Sequence, residues 1–206
     1  MLYFFIIISY LSGSISGSLL LGKFKNIDIR TMGSGNAGGT NALRSVGPLF
    51  ALGTILIDIF KGYLPVVLFS NYIEHNLALA QILFGIFAVL GHVFPIFYGF
   101  KGGKGAGTLI GVVLAIFPYS VPYVFAIWIL VLILTGFVGL STISAGAFLV
   151  IITYFQYSQS IFSAFGYFTI GVSIFLFYTH RENIKRMIQG NENRFEKAML
   201  FKKIFN

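Results

Sequence analysis

The sequence predicts an all-α integral membrane protein, a polytopic bundle of seven transmembrane helices, and three observations lead there. Of the 206 residues, 57% are hydrophobic and only 10% charged, whereas a soluble domain carries about 25% charged residues because its surface must face water. Mean hydropathy is +0.88, and several apolar runs reach the roughly 20 residues that a helix needs to cross hydrocarbon. The charged residues that do occur are gathered into a few short segments.

The first span is read at residues 2–22. It lacks a basic start, and Lys23 and Lys25 follow the apolar run instead of preceding it, so it does not read as a signal peptide. Within it, Ser12, Gly13, Ser14, Ser16, Gly17 and Ser18 put small side chains four apart, a pattern that lets membrane helices approach closely and implies no chemistry. The next spans are 47–70 and 77–98, joined by residues 71–76, which hold Glu74 and no Lys or Arg. Residues 105–179 contain no Asp, Glu, Lys, Arg or His. Breaks at 118–122, 136–139 and 156–163 divide that stretch into spans at about 106–119, 121–136, 139–155 and 161–179. Two spans there instead of four would give a five-helix protein. A single membrane-embedded domain covers residues 1–206, and no internal repeat joins its halves.

Sidedness follows from Lys and Arg. They concentrate in residues 23–46 (Lys23, Lys25, Arg30, Arg44), in the short segment 99–105 (Lys101, Lys104) and in the tail 180–206 (Arg181, Lys185, Arg186, Arg194, Lys197, Lys202, Lys203). Cytoplasmic loops carry such an excess, which places these segments and the C-terminus inside and the N-terminus outside. The same rule accounts for the net charge of +8 without a nucleic-acid partner. There is no cysteine, so thiolate nucleophiles, disulfides and cysteine-held metals are excluded. No cofactor or metal is expected.

Three constellations can do chemistry. The first runs from Gly33, Ser34, Gly35 and Asn36 through Gly38, Thr40 and Asn41 to Arg44. It contains a literal G-x-G-x-x-G, but no apolar strand precedes it and Asp58, at the acidic position, lies in an apolar segment, so the dinucleotide reading fails. Glycines still let backbone N–H groups converge on an anion, and Ser34, Asn36, Thr40 and Asn41 add neutral donors. The second is Lys101, Gly102, Gly103, Lys104 and Gly105. It lacks the Ser or Thr that follows the lysine of a P-loop, yet ammonium groups between glycines suit phosphate. The third is His180, Arg181, Asn183, Arg186 and Glu192. On a helix continuing from the last span, His180 and Asn183 share a face, although a basic juxtamembrane helix also serves anionic lipid. Asp58 and Lys61, three apart inside a span, read as an ion pair supporting the first loop. His92 reads as a structural group.

These motifs, in this order and membrane setting, resemble the bacterial acyl-phosphate-dependent glycerol-3-phosphate acyltransferases of PlsY type. Matching elements run from Gly13-Ser14-Ile15 through Asp58, Lys61-Gly62, Gly91-His92 and Lys101-Gly102-Gly103-Lys104-Gly105 to His180-Arg181, Asn183-Ile184, Arg186, Gly190 and Glu192. The resemblance implies a seven-helix bacterial inner-membrane enzyme whose three cytoplasmic segments meet at one active site. It implies transfer of a fatty acyl group from acyl phosphate to the 1-hydroxyl of glycerol 3-phosphate, giving lysophosphatidic acid and inorganic phosphate. Ser34, Arg44, Lys104, His180 and Asn183 are then the catalytic set. Gly33, Gly35, Asn36, Gly38, Thr40, Asn41, Lys101, Gly102, Gly103, Arg181, Arg186 and Glu192 bind substrate, with Asp58, Lys61 and His92 in support. Two positions depart from the pattern. Gly39 stands where Ala is common, which should loosen the loop, and the turn at 135–139 lacks an expected basic residue.

The residue inventory agrees with that chemistry. No His-x-x-x-x-Asp motif exists, since Phe97 and Lys185 occupy the Asp positions after His92 and His180, and there is no G-x-S-x-G elbow. A site without an obvious nucleophile and base needs a donor that is already activated, and then has mainly to position reactants and stabilise charge. The rival class is a transporter of phosphate or an organophosphate, whose charges would sit near the bilayer midplane on broken helices.

Overall fold

The computed structural model describes residues 1–156 and 162–200, and their regular structure is helical throughout. Part of the expected break at 156–163, the first residue of the seventh expected span, and Lys202 and Lys203 of the tail lie outside the described residues. Two compact units are present, Met1–Pro118 and Tyr119–Asn206. Apolar helices occur in every expected span, but among the described residues four helices, or five counting a bent pair, are long and apolar enough to cross a membrane.

The first unit holds α1 (Leu2–Gly13), α2 (Gly17–Lys25), α3 (Gly39–Ser45), α4 (Pro48–Ser70), α5 (Leu77–Val93) and α6 (Ala106–Ile116). Residues 2–22 are not the single helix expected from sequence: α1 and α2 are separated at residues 14–16 and bent by 45°. A break inside an apolar run frees backbone groups that hydrocarbon cannot satisfy. Asp58 and Lys61 of α4 satisfy them. Lys61 Nζ donates to the Ile15 carbonyl at 2.9 Å, and the Gly17 N–H donates to Asp58 Oδ1 at 3.2 Å. The two side chains pair at 2.8 Å and are 4% and 3% exposed. The pair therefore supports the α1–α2 break, where sequence suggested the first loop. Removing one partner alone from such a buried pair typically costs about 3–5 kcal/mol.

Small residues set the helix spacing, as the sequence implied. A methyl group on Gly13 would overlap the Ala88 carbonyl of α5, and one on Gly62 of α4 would overlap the Thr108 carbonyl of α6. Toward the start of α1, Phe5 stacks on Phe69 with centroids 4.7 Å apart and meets Phe84 edge-on at 6.2 Å. α3 forms inside the expected 23–46 loop, and the short helix α6 begins directly after the lysine-bearing segment.

The second unit holds α7 (Val121–Thr135), α8 (Val138–Gln156), α9 (Ala164–Thr179) and α10 (Arg181–Ile188). α7 opens with Pro122 in its first turn and closes on Gly136 at φ +74°, a left-handed helix cap that a side chain would strain. The tail returns to this α7–α8 turn. The Phe195 N–H donates to the Gly136 carbonyl at 2.7 Å, and the Arg194 guanidinium lies 5.0 Å from the Phe137 ring centroid. The turn that lacks a basic residue of its own thus receives one from the tail.

Candidate active site

The glycine-rich loop of the first unit is folded around one side chain. Asn41, buried on α3, donates from Nδ2 to the carbonyls of Ile29 (3.0 Å) and Met32 (2.9 Å). Its Oδ1 accepts from the Ser34 N–H (3.0 Å) and the Ser45 hydroxyl (3.3 Å). An amide has two donor hydrogens and two acceptor lone pairs, so Asn41 is saturated inside the loop. Gly33 (φ +54°) and Gly35 (φ +72°) supply the left-handed turns on either side of Ser34. Ser34 and Arg44, the latter on the last turn of α3, remain exposed.

The lysine loop folds back onto the end of α5. The N–H groups of Gly102 and Gly103 donate to the carbonyls of Val93 and His92, both at 3.2 Å. Arg30 ties the root of this loop to the first one. Its Nη1 donates to the Tyr98 carbonyl at 3.1 Å, and its guanidinium pairs with Asp28 at 2.7 Å. Hydrogen bonding to Arg30 holds the Asp28 carboxyl below its usual range, against an opposing effect of burial. The two loops meet at Gly103. A methyl group there would overlap His92 Nε2 and would stand 2.9 Å from the Ala37 carbonyl of the glycine loop. Lys104, the next residue, is half-buried.

In the second unit, His180 and Asn183 are buried where α9 passes into α10. His180 Nδ1 lies 2.9 Å from the Leu176 carbonyl. That contact assigns a proton to Nδ1, since a carbonyl oxygen only accepts. Asn183 Nδ2 donates to Glu192 Oε1 at 2.7 Å, while Arg186 Nε donates to Oε2 at 2.6 Å. Asn183 also packs against Gly139, where a methyl group would stand 3.0 Å from its Cβ. Arg181 is exposed and turned onto Tyr178, 4.4 Å from the ring centroid.

A sequence profile of the glycerol-3-phosphate acyltransferases matches residues 3–190. The chain belongs to that family. The glycerol-3-phosphate acyltransferase of Fusobacterium nucleatum is 36% identical over 195 residues, covering 93% of this chain and 97% of the relative. That of Prochlorococcus marinus is 40% identical over 187 residues, covering 90% and 93%, and that of Aquifex aeolicus is 34% identical over 194 residues, covering 93% and 98%. Among solved structures, the glycerol 3-phosphate form of PlsY (YgiH), an integral membrane glycerol 3-phosphate acyltransferase, superposes with a TM-score of 0.88 at 31% identity, covering 100% of this chain and 99% of that one. Its lysophosphatidic acid form gives 0.84 at 32% identity and 94% coverage of both.

For this family member, the structure brings the glycine and lysine loops together within the first unit and groups His180, Asn183, Arg186 and Glu192 within the second. Asn36, Gly38 and Thr40 lie half-buried in the first loop, and Lys101 is exposed. Three features were not read from sequence. The Asp28–Arg30 pair is visible as opposite charges two residues apart, but its reach to Tyr98 is not. The sequence marks Arg194 only as one of the tail charges. Gly39 was expected to loosen its loop, yet the Ile55 side chain fills the space where its methyl group would be, 2.5 Å from the missing Cβ.

Proposed function

We propose that this protein transfers an acyl group from acyl phosphate to the 1-hydroxyl of sn-glycerol 3-phosphate, releasing lysophosphatidic acid and inorganic phosphate. The proposal places it in the inner membrane of a bacterium with seven spans, its N-terminus outside and its charged loops and tail in the cytoplasm. The observation that carries the phosphate reading is the junction at Gly103, which sets a donor-rich loop bearing Ser34 and Arg44 beside the loop bearing Lys104. Family membership supplies the acyl-transfer reading.

In this mechanism the glycerol hydroxyl oxygen bonds to the acyl carbonyl carbon, and the bond from that carbon to the phosphate oxygen breaks. Phosphate leaves with the electron pair. Acyl phosphate is a mixed anhydride and needs no enzyme nucleophile, in keeping with the absence of cysteine and of a serine elbow. Arg44, Lys104 and Ser34 hold phosphate and neutralise charge as it develops, and the family resemblance adds His180 and Asn183 to the catalytic set. The hydroxyl proton passes to a substrate phosphate oxygen, with His180 Nε2 as the competing acceptor. Asn41 is assigned to the loop scaffold because its amide is saturated, and Glu192 to orienting Asn183, since a carboxylate repels phosphate.

Purified protein in detergent tests the reading. Lysophosphatidic acid should form from acyl phosphate and glycerol 3-phosphate without coenzyme A or carrier protein and without a sealed compartment. Activity with acyl-coenzyme A but none with acyl phosphate would show the wrong acyltransferase class. Function only in sealed vesicles, as uptake, would favour the transporter.

A further inference from the structure

One buried polar group has no task in the mechanism above. His92 is 2% exposed, and its Nδ1, 3.5 Å from Asp58 Oδ1, makes no hydrogen bond among the described residues. A polar atom buried without a hydrogen-bond partner is costly, and each such group in a folded protein calls for an explanation. The opposite edge of the ring, Nε2 and Cε1, lies against Gly103 so closely that a methyl group there would overlap it. Across Gly103 stands the Ala37 carbonyl of the glycine loop. The order is thus Asp58, the His92 ring, Gly103 and Ala37, with Lys104 next in the chain. Asp58 is in turn fixed by Lys61 and by the Gly17 N–H.

We propose that His92 is a positioning residue for Lys104: its ring, backed by Asp58, sets the gap between the lysine loop and the glycine loop. It thereby sets the separation of the Lys104 ammonium from Arg44 and Ser34. The backbone bond from the Gly103 N–H to the His92 carbonyl survives any substitution, but it anchors only the loop's root. Without the ring, Gly103 loses the wall that presses it toward Ala37. A misplacement of about 1 Å caused away from the chemistry can cost about 100-fold in rate. This inference rests on the phosphate-binding role given to Lys104 above.

The test is a double-mutant cycle on purified protein, measuring kcat and KM for His92→Ala, His92→Gln, Lys104→Ala and the double variant His92→Ala/Lys104→Ala. His92→Ala should lower kcat/KM at least about tenfold, with the same division between KM and kcat as Lys104→Ala. His92→Gln, which keeps a long polar side chain, should recover part of the loss. In the Lys104→Ala background, His92→Ala should lower kcat/KM by less than about threefold more, because coupled residues are not additive. Losses that multiply in full would overturn the proposal, as would wild-type turnover of His92→Ala. Failure of both His92 variants to insert and fold would also overturn it, leaving His92 a requirement of the fold alone. Wild-type turnover of Lys104→Ala would instead sink the phosphate reading first, so the two failures are distinguishable.

Discussion

Asn183 is held by Glu192: its Nδ2 donates a 2.7 Å hydrogen bond to one carboxylate oxygen, and the other oxygen accepts from Arg186 at 2.6 Å. The Glu192 side chain is 5% exposed, so water is poorly placed to substitute for either oxygen. Glu192→Gln keeps the shape but replaces one acceptor with an NH2 group. That donor must then face either the Asn183 amide or the Arg186 guanidinium. Leaving a buried donor unsatisfied costs about 1–3 kcal/mol, so kcat/KM should fall roughly tenfold while the protein still inserts. Steady-state kinetics beside folded yield checks this, and unchanged kinetics would remove Glu192 from the orientation of Asn183.

Asn41 and Ser34 should separate as scaffold and substrate contact. Asn41→Ala breaks four hydrogen bonds inside the loop, each worth about 0.5–1.5 kcal/mol, so both thermal stability and activity should drop. Ser34→Ala removes an exposed hydroxyl and should lower activity while leaving the melting midpoint within about 2 °C, because surface changes away from such networks are usually within about 0.5 kcal/mol. Melting curves of the two variants in the same detergent decide the assignment. A Ser34 variant that melts early, or an Asn41 variant that does not, would reverse the roles.

Topology can be read by labelling, since the chain has no native thiol. Single cysteines at Lys101, Val138 and Lys185 should react from the cytoplasmic side, and one at Glu74 from outside. Position 138 is the informative one. The α7–α8 turn accepts a backbone hydrogen bond from Phe195 and carries Arg194 on Phe137, so it shares the side of the tail. Labelling of position 138 from outside would contradict the four-span division of residues 105–179.

Several helix ends were legible in the sequence because local punctuation marks them: Pro122 and Gly136 bound α7, and Ser163 caps α9 through the Gly166 N–H. The break in the first span was not. Its serines and glycines fit close packing of a straight helix equally well, and the bend is decided by Asp58 and Lys61, over 40 residues away in the chain. The site shows the same division. Glycines flanking donors and lysines are local signals, so both loops could be found. Saturation of Asn41, the hold of Glu192 on Asn183 and the pressing of Gly103 against His92 are tertiary contacts with no local sequence signature.

The claim at the centre of this account is that two loops joined at Gly103 hold substrate phosphate through Arg44 and Lys104. Turnover of Arg44→Ala, Arg44→Lys and Lys104→Ala, measured on protein shown to insert normally, tests it most directly. Losing one charge-assisted hydrogen bond costs about 1.5–3 kcal/mol, or roughly tenfold to a hundredfold. Each alanine variant should therefore lose at least 90% of activity (about tenfold), and Arg44→Lys should recover only part, because a point charge cannot reproduce the planar fork of guanidinium. Normal turnover by the Arg44 and Lys104 alanine variants would contradict the account.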